Sequence, residues 1–337
     1  MDINSVYQKL LQPSEALVAD MTKLDGDILI LGVGGKMGPG IAKLAKTAVD
    51  LARVKKKIIG VARFSEAGLQ QELEQQGIKT VEADLLQDDQ LQSLPDAANV
   101  LYLAGTKFGT TGKESLTWAM NAYLPGRVAE KYKHSRIVVF STGNVYPLVP
   151  VLSGGATEDD LPQPLGEYAQ SCLGRERMFQ YFSSKNKTPI LIFRLNYAND
   201  VTYGVLLEIG KSVKEQRAVD LRMGHVNVIW QGNANEWAIR SLLHCSAPSK
   251  ILNIAGPETV SIRWLAKEFG KIFSQEPAFI HEEQNTALLS NGAEAYRLFG
   301  YPEVTLKQMI TMISEWIIRG GKTLNKPTHF QERKGQF

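Results

Sequence analysis

The stretch Asp27-Ile-Leu-Ile-Leu-Gly-Val-Gly-Gly-Lys-Met-Gly-Pro-Gly-Ile41 constrains the fold more than any other part of the chain. Ile28 to Gly32 carries no charge and reads as a strand buried on both faces, while Ile41, Leu44, Ala45 and Ala48 recur at helical spacing. Strand, tight turn and helix therefore follow one another. Glycine suits such a turn because the backbone must bend sharply, approach a diphosphate without a Cβ in the way, and offer the unpaired N–H groups of the helix N-terminus to its phosphates. Gly32, Gly34, Gly35 and Gly38, with Met37 among them, form the candidate phosphate loop. Glycine patterns of this kind also occur in strand-to-helix turns that bind nothing. The preceding strand and following helix are the context that favours a dinucleotide.

A chain of 337 residues, 44% hydrophobic and 22% charged, can bury a core in one large or two modest domains. A formal charge of +3 and the absence of a basic stripe argue against nucleic acid as a partner. No apolar run approaches the roughly 18 residues of a membrane span, and residues 1–26 lack the apolar segment of a signal peptide. No membrane partner is expected. The two cysteines, Cys172 and Cys245, stand too far apart in sequence for a metal-type spacing and form no disulfide framework, which fits a reducing cytoplasm. Residues 1–26 predict an amphipathic helical extension, broken at Pro13 and packed outside the first domain.

Lys57 to Arg63 reads as the second parallel strand, and its end bears on cofactor choice. An NAD site places a carboxylate there for the ribose 2′-OH, whereas an NADP site omits it and supplies an arginine to the 2′-phosphate. Ala62 occupies the acidic position and Arg63 follows, so NADP(H) is favoured over NAD(H). The strand Lys79 to Glu82 leads into Ala83-Asp84-Leu85, and Asn99 to Leu103 leads into Ala104-Gly105-Thr106-Lys107. Small residues at such strand ends are expected where a ligand crosses the carboxyl edge of a parallel sheet. The helix Glu114 to Lys131 carries Asn121 and a Pro125 expected to kink it. A strand over Arg136 to Phe140 delivers Ser141-Thr142-Gly143-Asn144-Val145-Tyr146, and a later helix puts Tyr168, Cys172 and Glu176 on one face.

With these residues in this order, the chain resembles the extended short-chain dehydrogenase/reductases, in the NAD-dependent epimerase/dehydratase group. The marks run from Gly32-x-x-Gly35-x-x-Gly38 through Asp84, Ala104-Gly105, Asn121, Ser141-Thr142-x-x-Val145-Tyr146, Glu158 and Tyr168 to Arg194-Leu195-Asn196 and Leu252 to Gly256. The resemblance implies an α/β fold, a Rossmann-type doubly wound parallel sheet with a smaller α/β substrate domain. The expected division is a dinucleotide-binding domain over 27–197, to which 225–250 return, a substrate domain over 198–224 and 251–322, and an exposed tail over 323–337. It also implies a homodimer built on the helices Glu114 to Lys131 and Gly166 to Ser184, with Leu124 and Val128 among the contacts.

The family transfers hydride between a nicotinamide and a carbon bearing oxygen. By position Tyr168 matches its acid/base tyrosine and Thr142 the hydroxyl residue holding the same oxygen. The cofactor set becomes Gly32, Gly34, Gly35, Met37, Gly38, Arg63, Asp84, Leu85, Ala104 and Gly105. The substrate set is Thr106, Lys107, Gly143, Asn144 and Asn196. One member of the pattern is missing: the lysine four residues after the tyrosine is Cys172 here. At pH 7 only about one part in a thousand of an ordinary tyrosine is phenolate, and that lysine normally raises the fraction. The resemblance thus predicts an NAD(P)-dependent oxidoreductase or epimerase acting on a sugar or sugar-derived hydroxy or keto compound, with Lys107 the nearest substitute cation. The alternative is a catalytically impaired dinucleotide-binding sensor or scaffold. Dehydratase chemistry is disfavoured, because the acid-base pair expected after Thr142 is Gly143-Asn144.

Overall fold

The computed structural model describes Tyr7 and residues 11–107 and 112–336. Its centre is a sheet of β1 (Ile28–Leu31), β2 (Ile58–Ala62), β3 (Lys79–Glu82), β4 (Asn99–Tyr102), β5 (Arg136–Thr142), β6 (Ile190–Leu195) and β7 (Lys250–Ile254). The order across the sheet is β7-β6-β5-β4-β1-β2-β3, and every neighbouring pair is parallel. Apolar runs produce this arrangement because helices cover both faces. All four residues of β1 are fully buried, each contributing roughly 1.5–3 kcal/mol of transfer free energy. The chain reverses its winding between β1 and β4, so a crevice opens at the carboxyl ends of those two strands.

The helix α1 (Glu15–Lys23) belongs to the N-terminal extension, and Ser14 caps it by accepting from the Leu17 N–H at 3.1 Å. It packs on α2 (Gly38–Ala52), the helix after the glycine turn, with Asp20 paired to Arg240 at 2.8 Å. The next long helix, α3, is composite: Glu114–Trp118 and Leu124–Lys131 are α-helical, and Ala119–Tyr123 between them is a π turn. The expected kink at Pro125 is therefore a widened turn one step earlier, which starts a new α segment where a missing N–H costs nothing. Against it lies α4 (Gly166–Asn186), the helix of Tyr168.

A second core is formed by α5 (Val205–Lys214), α7 (Ile262–Phe273) and α8 (Leu306–Ile318), through residues such as Leu206, Ile209, Phe269 and Ile313. Ser261 caps α7 by accepting from the Trp264 N–H at 3.2 Å. Between α5 and α7 in the chain, α6 (Gln231–Arg240) returns to pack on α2. Three features depart from expectation. Lys250–Ile254 joins the main sheet as β7 and carries the helix Ala293–Phe299 with it, so 251–322 is split between the two cores. Leu124 and Val128 are fully buried in the sheet core and cannot be dimer contacts. The tail 323–337 is not an exposed extension: Thr328 and Phe330 are 7% and 6% accessible, and Arg333 donates to the Thr286 carbonyl at 2.7 Å. Among the described residues, no helix is long and apolar enough to cross a membrane.

Candidate active site

The crevice has two connected parts, one on each side of the glycine turn. The outer part is lined by Gly32, Gly34, Gly35, Ala62, Arg63, Asp84, Leu85, Ala104 and Gly105, which are eight of the ten expected cofactor residues and their neighbour Ala62. Gly32 has φ +91°, and a Cβ on it would lie 2.7 Å from the Ala104 nitrogen. Gly38 lies apart from the lining because it serves packing: a Cβ there would come within 2.2 Å of the Val33 carbonyl oxygen. This is a cradle that side chains would fill, and the donors at the start of α2 fit a diphosphate. The residues present therefore fit a dinucleotide. Arg63 is exposed at the rim, with Ser65 and Glu66 beside it.

Asn121, in the π turn, holds the edge of this cradle in place. Its side chain accepts from the Thr106 N–H and donates to the Thr106 carbonyl, both at 2.9 Å. Thr106 is thus fixed through its backbone and lines neither part of the crevice, contrary to its expected place against substrate.

The inner part is a cleft of about 320 Å³, lined among others by Lys36, Met37, Lys107, Thr142, Asn144, Tyr168 and Asn196. Met37 thus faces the reaction side rather than the outer cradle. Tyr168 hydrogen-bonds with the Thr142 side chain, and Cys172 lies beside it. Burial, joined by the Cys172 thiol, holds the Tyr168 phenol well above the usual tyrosine range, so its resting form is the neutral acid. Burial likewise pushes the Cys172 thiol up, which suits a small packing residue and not a nucleophile. Lys107 Nζ stands 6.0 Å from the Tyr168 ring centre, and burial lowers its pKa to about 8.

Gly143 does not line the cleft. It is buried, and a Cβ on it would press against the Asn196 side chain and Ser290 Oγ at 3.0 Å. The Asn196 amide donates to Asn227 Oδ1 at 3.0 Å, so it orders the cleft wall. Asn144 keeps its place on the lining.

Two cations escaped the sequence reading. Arg175 is 6% accessible and donates to the Phe140 carbonyl at 2.8 Å and to Asn121 Oδ1 at 2.6 Å. Its charge acts on Tyr168 and Cys172, favouring their ionised forms. It lies one helical turn beyond Cys172, a spacing that matches no lysine position and so gave no signal. Lys36 was hidden inside the glycine motif, where only the backbone drew notice.

Beneath the cleft, Glu176 accepts from Arg194 at 2.9 and 2.7 Å, and from Ser141 Oγ at 2.5 Å. Arg194 also donates to the Tyr146 hydroxyl at 2.6 Å, which in turn donates to Asn253 at 3.0 Å. The pair is 1% and 0% accessible and ties α4 to β5, β6 and β7.

A glycine cradle at the switch point of a parallel sheet, opening onto a tyrosine bonded to a threonine, defines the class: a nicotinamide-dinucleotide enzyme of the short-chain dehydrogenase type. The sequence pattern of the NAD dependent epimerase/dehydratase family matches residues 28–198. The chain belongs to that family. A search of curated protein sequences gives no match. Among solved structures, it is similar to UDP-glucuronic acid 4-epimerase from Bacillus cereus in complex with UDP-glucuronic acid and NAD, at 20% identity and TM-score 0.71, covering 87% of this chain and 99% of that one. UDP-glucose 4-epimerase from Thermotoga maritima with UDP-glucose matches at 15% identity and TM-score 0.70, with the same coverage. At these identities the likeness is one of fold.

Proposed function

We propose that the protein is an NADP(H)-dependent oxidoreductase or epimerase acting on a sugar or sugar-derived hydroxy or keto compound, with Tyr168 as acid/base. The observation that carries this reading is the Tyr168–Thr142 hydrogen bond inside a cleft that the glycine loop also borders. The shared fold with structures that hold NAD or UDP-sugars supports a dinucleotide and a sugar-type substrate.

When bound, the nicotinamide supplies hydride transfer to or from the carbon that bears the reacting oxygen. Gly34, Gly35 and the N-terminus of α2 would hold its diphosphate, and Asp84, Leu85, Ala104 and Gly105 the walls around it. Thr142 holds the substrate oxygen, and Tyr168 gives a proton to it when a carbonyl is reduced or takes one when a hydroxyl is oxidised. A neutral phenol is ready for the first role. For the second, the Arg175 charge favours the phenolate, and Lys107 is the nearby cation that could add to it. The sensor reading draws on the same raised Tyr168 pKa, which slows oxidation. Turnover of any hydroxy compound that Tyr168→Phe abolishes would exclude it.

Arg63 is assigned to the 2′-phosphate of NADP(H), with no carboxylate at Ala62 to oppose it. Arg63→Ser is expected to weaken NADPH binding roughly ten-fold or more, the size of a charged hydrogen bond, while leaving NADH binding unchanged in a fluorescence titration. Tighter binding of NADH than NADPH by the unaltered protein would contradict the assignment.

The reading includes a homodimer working in the cytoplasm. On the outer faces of α3 and α4, Leu116, Tyr123, Met178 and Tyr181 are exposed and offer an apolar contact. Light scattering at micromolar concentration should give twice the chain mass of 37.3 kDa, and a monomer would refute the dimer.

A further inference from the structure

We propose that the substrate is a small anion, a hydroxy or keto compound bearing a carboxylate or phosphate, and that Lys36 holds its charge. The inference rests on the nicotinamide-dependent reading above and narrows its substrate class.

Lys36 leaves the glycine loop and crosses the cleft to the second lobe. Its Nζ donates to the Ala198 carbonyl at 3.3 Å and stands 3.8 Å from the centre of the Tyr203 ring. These two contacts fix the ammonium on the cleft lining shared with Tyr168, Thr142 and Lys107. An ammonium has three N–H donors, and Ala198 takes one. Among the described residues no carboxylate comes within ion-pair distance of Lys36. Asp200 is the nearest influence, and its oxygens accept from the Tyr7 hydroxyl and from Thr202. The lining also carries Lys107, Glu332 and the imidazole of His329, and Glu332 accepts from the Lys334 N–H. A cleft with two lysines and one engaged carboxylate attracts an anion. Crowding by protein, with Lys107 nearby, lowers the Lys36 pKa to about 7, and a bound anion would raise it by favouring the charged form.

Size narrows the class further. About 320 Å³ is at the low end of the roughly 300–1,000 Å³ typical of ligand pockets, and the reactive end of the cofactor must share it. The C-terminal tail forms one wall through Thr328, His329, Phe330 and Glu332. It is fastened at both ends: Thr328 Oγ1 donates to Glu208 at 2.6 Å, Arg333 donates to Thr286 Oγ1 at 2.6 Å, and Gly335 abuts Gly166 at the start of the Tyr168 helix. The space left beside the cofactor's reactive end suits one sugar-sized acid or sugar phosphate better than a nucleotide sugar.

The test is calorimetric titration of the NADP-loaded protein with D-gluconate, glucose 6-phosphate, glucose and UDP-glucose, repeated on Lys36→Met. At least one of the two small anions should bind more tightly than glucose and UDP-glucose. Lys36→Met should weaken that binding on the order of ten- to a hundred-fold, with the NADPH dissociation constant, read by fluorescence, unchanged. The two anions separate a carboxylate from a phosphate. Tightest binding by UDP-glucose, no preference for either small anion over glucose, or an equal loss of NADPH affinity in Lys36→Met would each overturn the assignment. Anion binding that depends on Lys36 without any turnover would leave the assignment standing and defeat the catalytic reading. Turnover of a neutral compound would do the reverse.

Discussion

Tyr168→Phe should lower kcat by about 10²- to 10⁴-fold, the usual worth of a positioned acid/base, and leave NADPH affinity unchanged, if Tyr168 serves as the proposed acid/base. The phenol oxygen is the one atom that the substitution removes. The ring remains packed beside Val145, Tyr146 and Cys172 in the small cluster under the cleft, so the fold has no reason to change. The expected signature is a loss in kcat and kcat/KM together, because the interaction lost belongs to the transition state. Steady-state kinetics on an accepted substrate, alongside a fluorescence titration of NADPH, check both halves. Retained activity would move the acid/base role to another group.

Glu176→Leu costs about 3–5 kcal/mol of stability. The reason is the partner left behind: Arg194 would remain inside the protein with no counter-charge, and Ser141 would lose its acceptor. The network holds Ser141 next to Thr142, so the loss reaches the active site as well as the core. Urea unfolding followed by circular dichroism gives the magnitude. A double variant that also replaces Arg194 with Met should recover much of it, because removing both charges avoids burying one alone. An unchanged midpoint in the single variant would show the pair to be dispensable.

The first half of the molecule was legible because parallel strands covered on both faces must be apolar throughout, and clustered glycines between such a strand and a helical pattern mark a sharp turn. Ile28–Leu31, the turn and α2 follow from that alone, and the ordered marks up to Tyr168 supplied the family. Tertiary packing decided what remained hidden. Lys250–Ile254 is apolar enough for any sheet, and nothing local says that it pairs with β6. The tail is largely polar, with two Lys and two Gln in 323–337, which suggests solvent, yet Phe330 and Arg333 secure it against the second lobe. Gly143 sits beside Thr142 in sequence, but glycine there makes room for Asn196 and Ser290. Leu124 and Val128 have the spacing of a helix face without revealing which side the sheet occupies. Arg175 and Lys36 matter through where their long side chains end, far from the backbone positions that a motif records.

The central claim is that a dinucleotide lies across the carboxyl edge of the sheet with its reactive ring beside Tyr168. A crystal structure of the protein with NADPH tests this most directly. The account predicts diphosphate density over Gly34 and Gly35 at the start of α2, the 2′-phosphate near Arg63, and the nicotinamide within the cleft of Tyr168 and Thr142. An empty crevice at saturating NADPH, or a coenzyme whose ring points away from Tyr168, would contradict it.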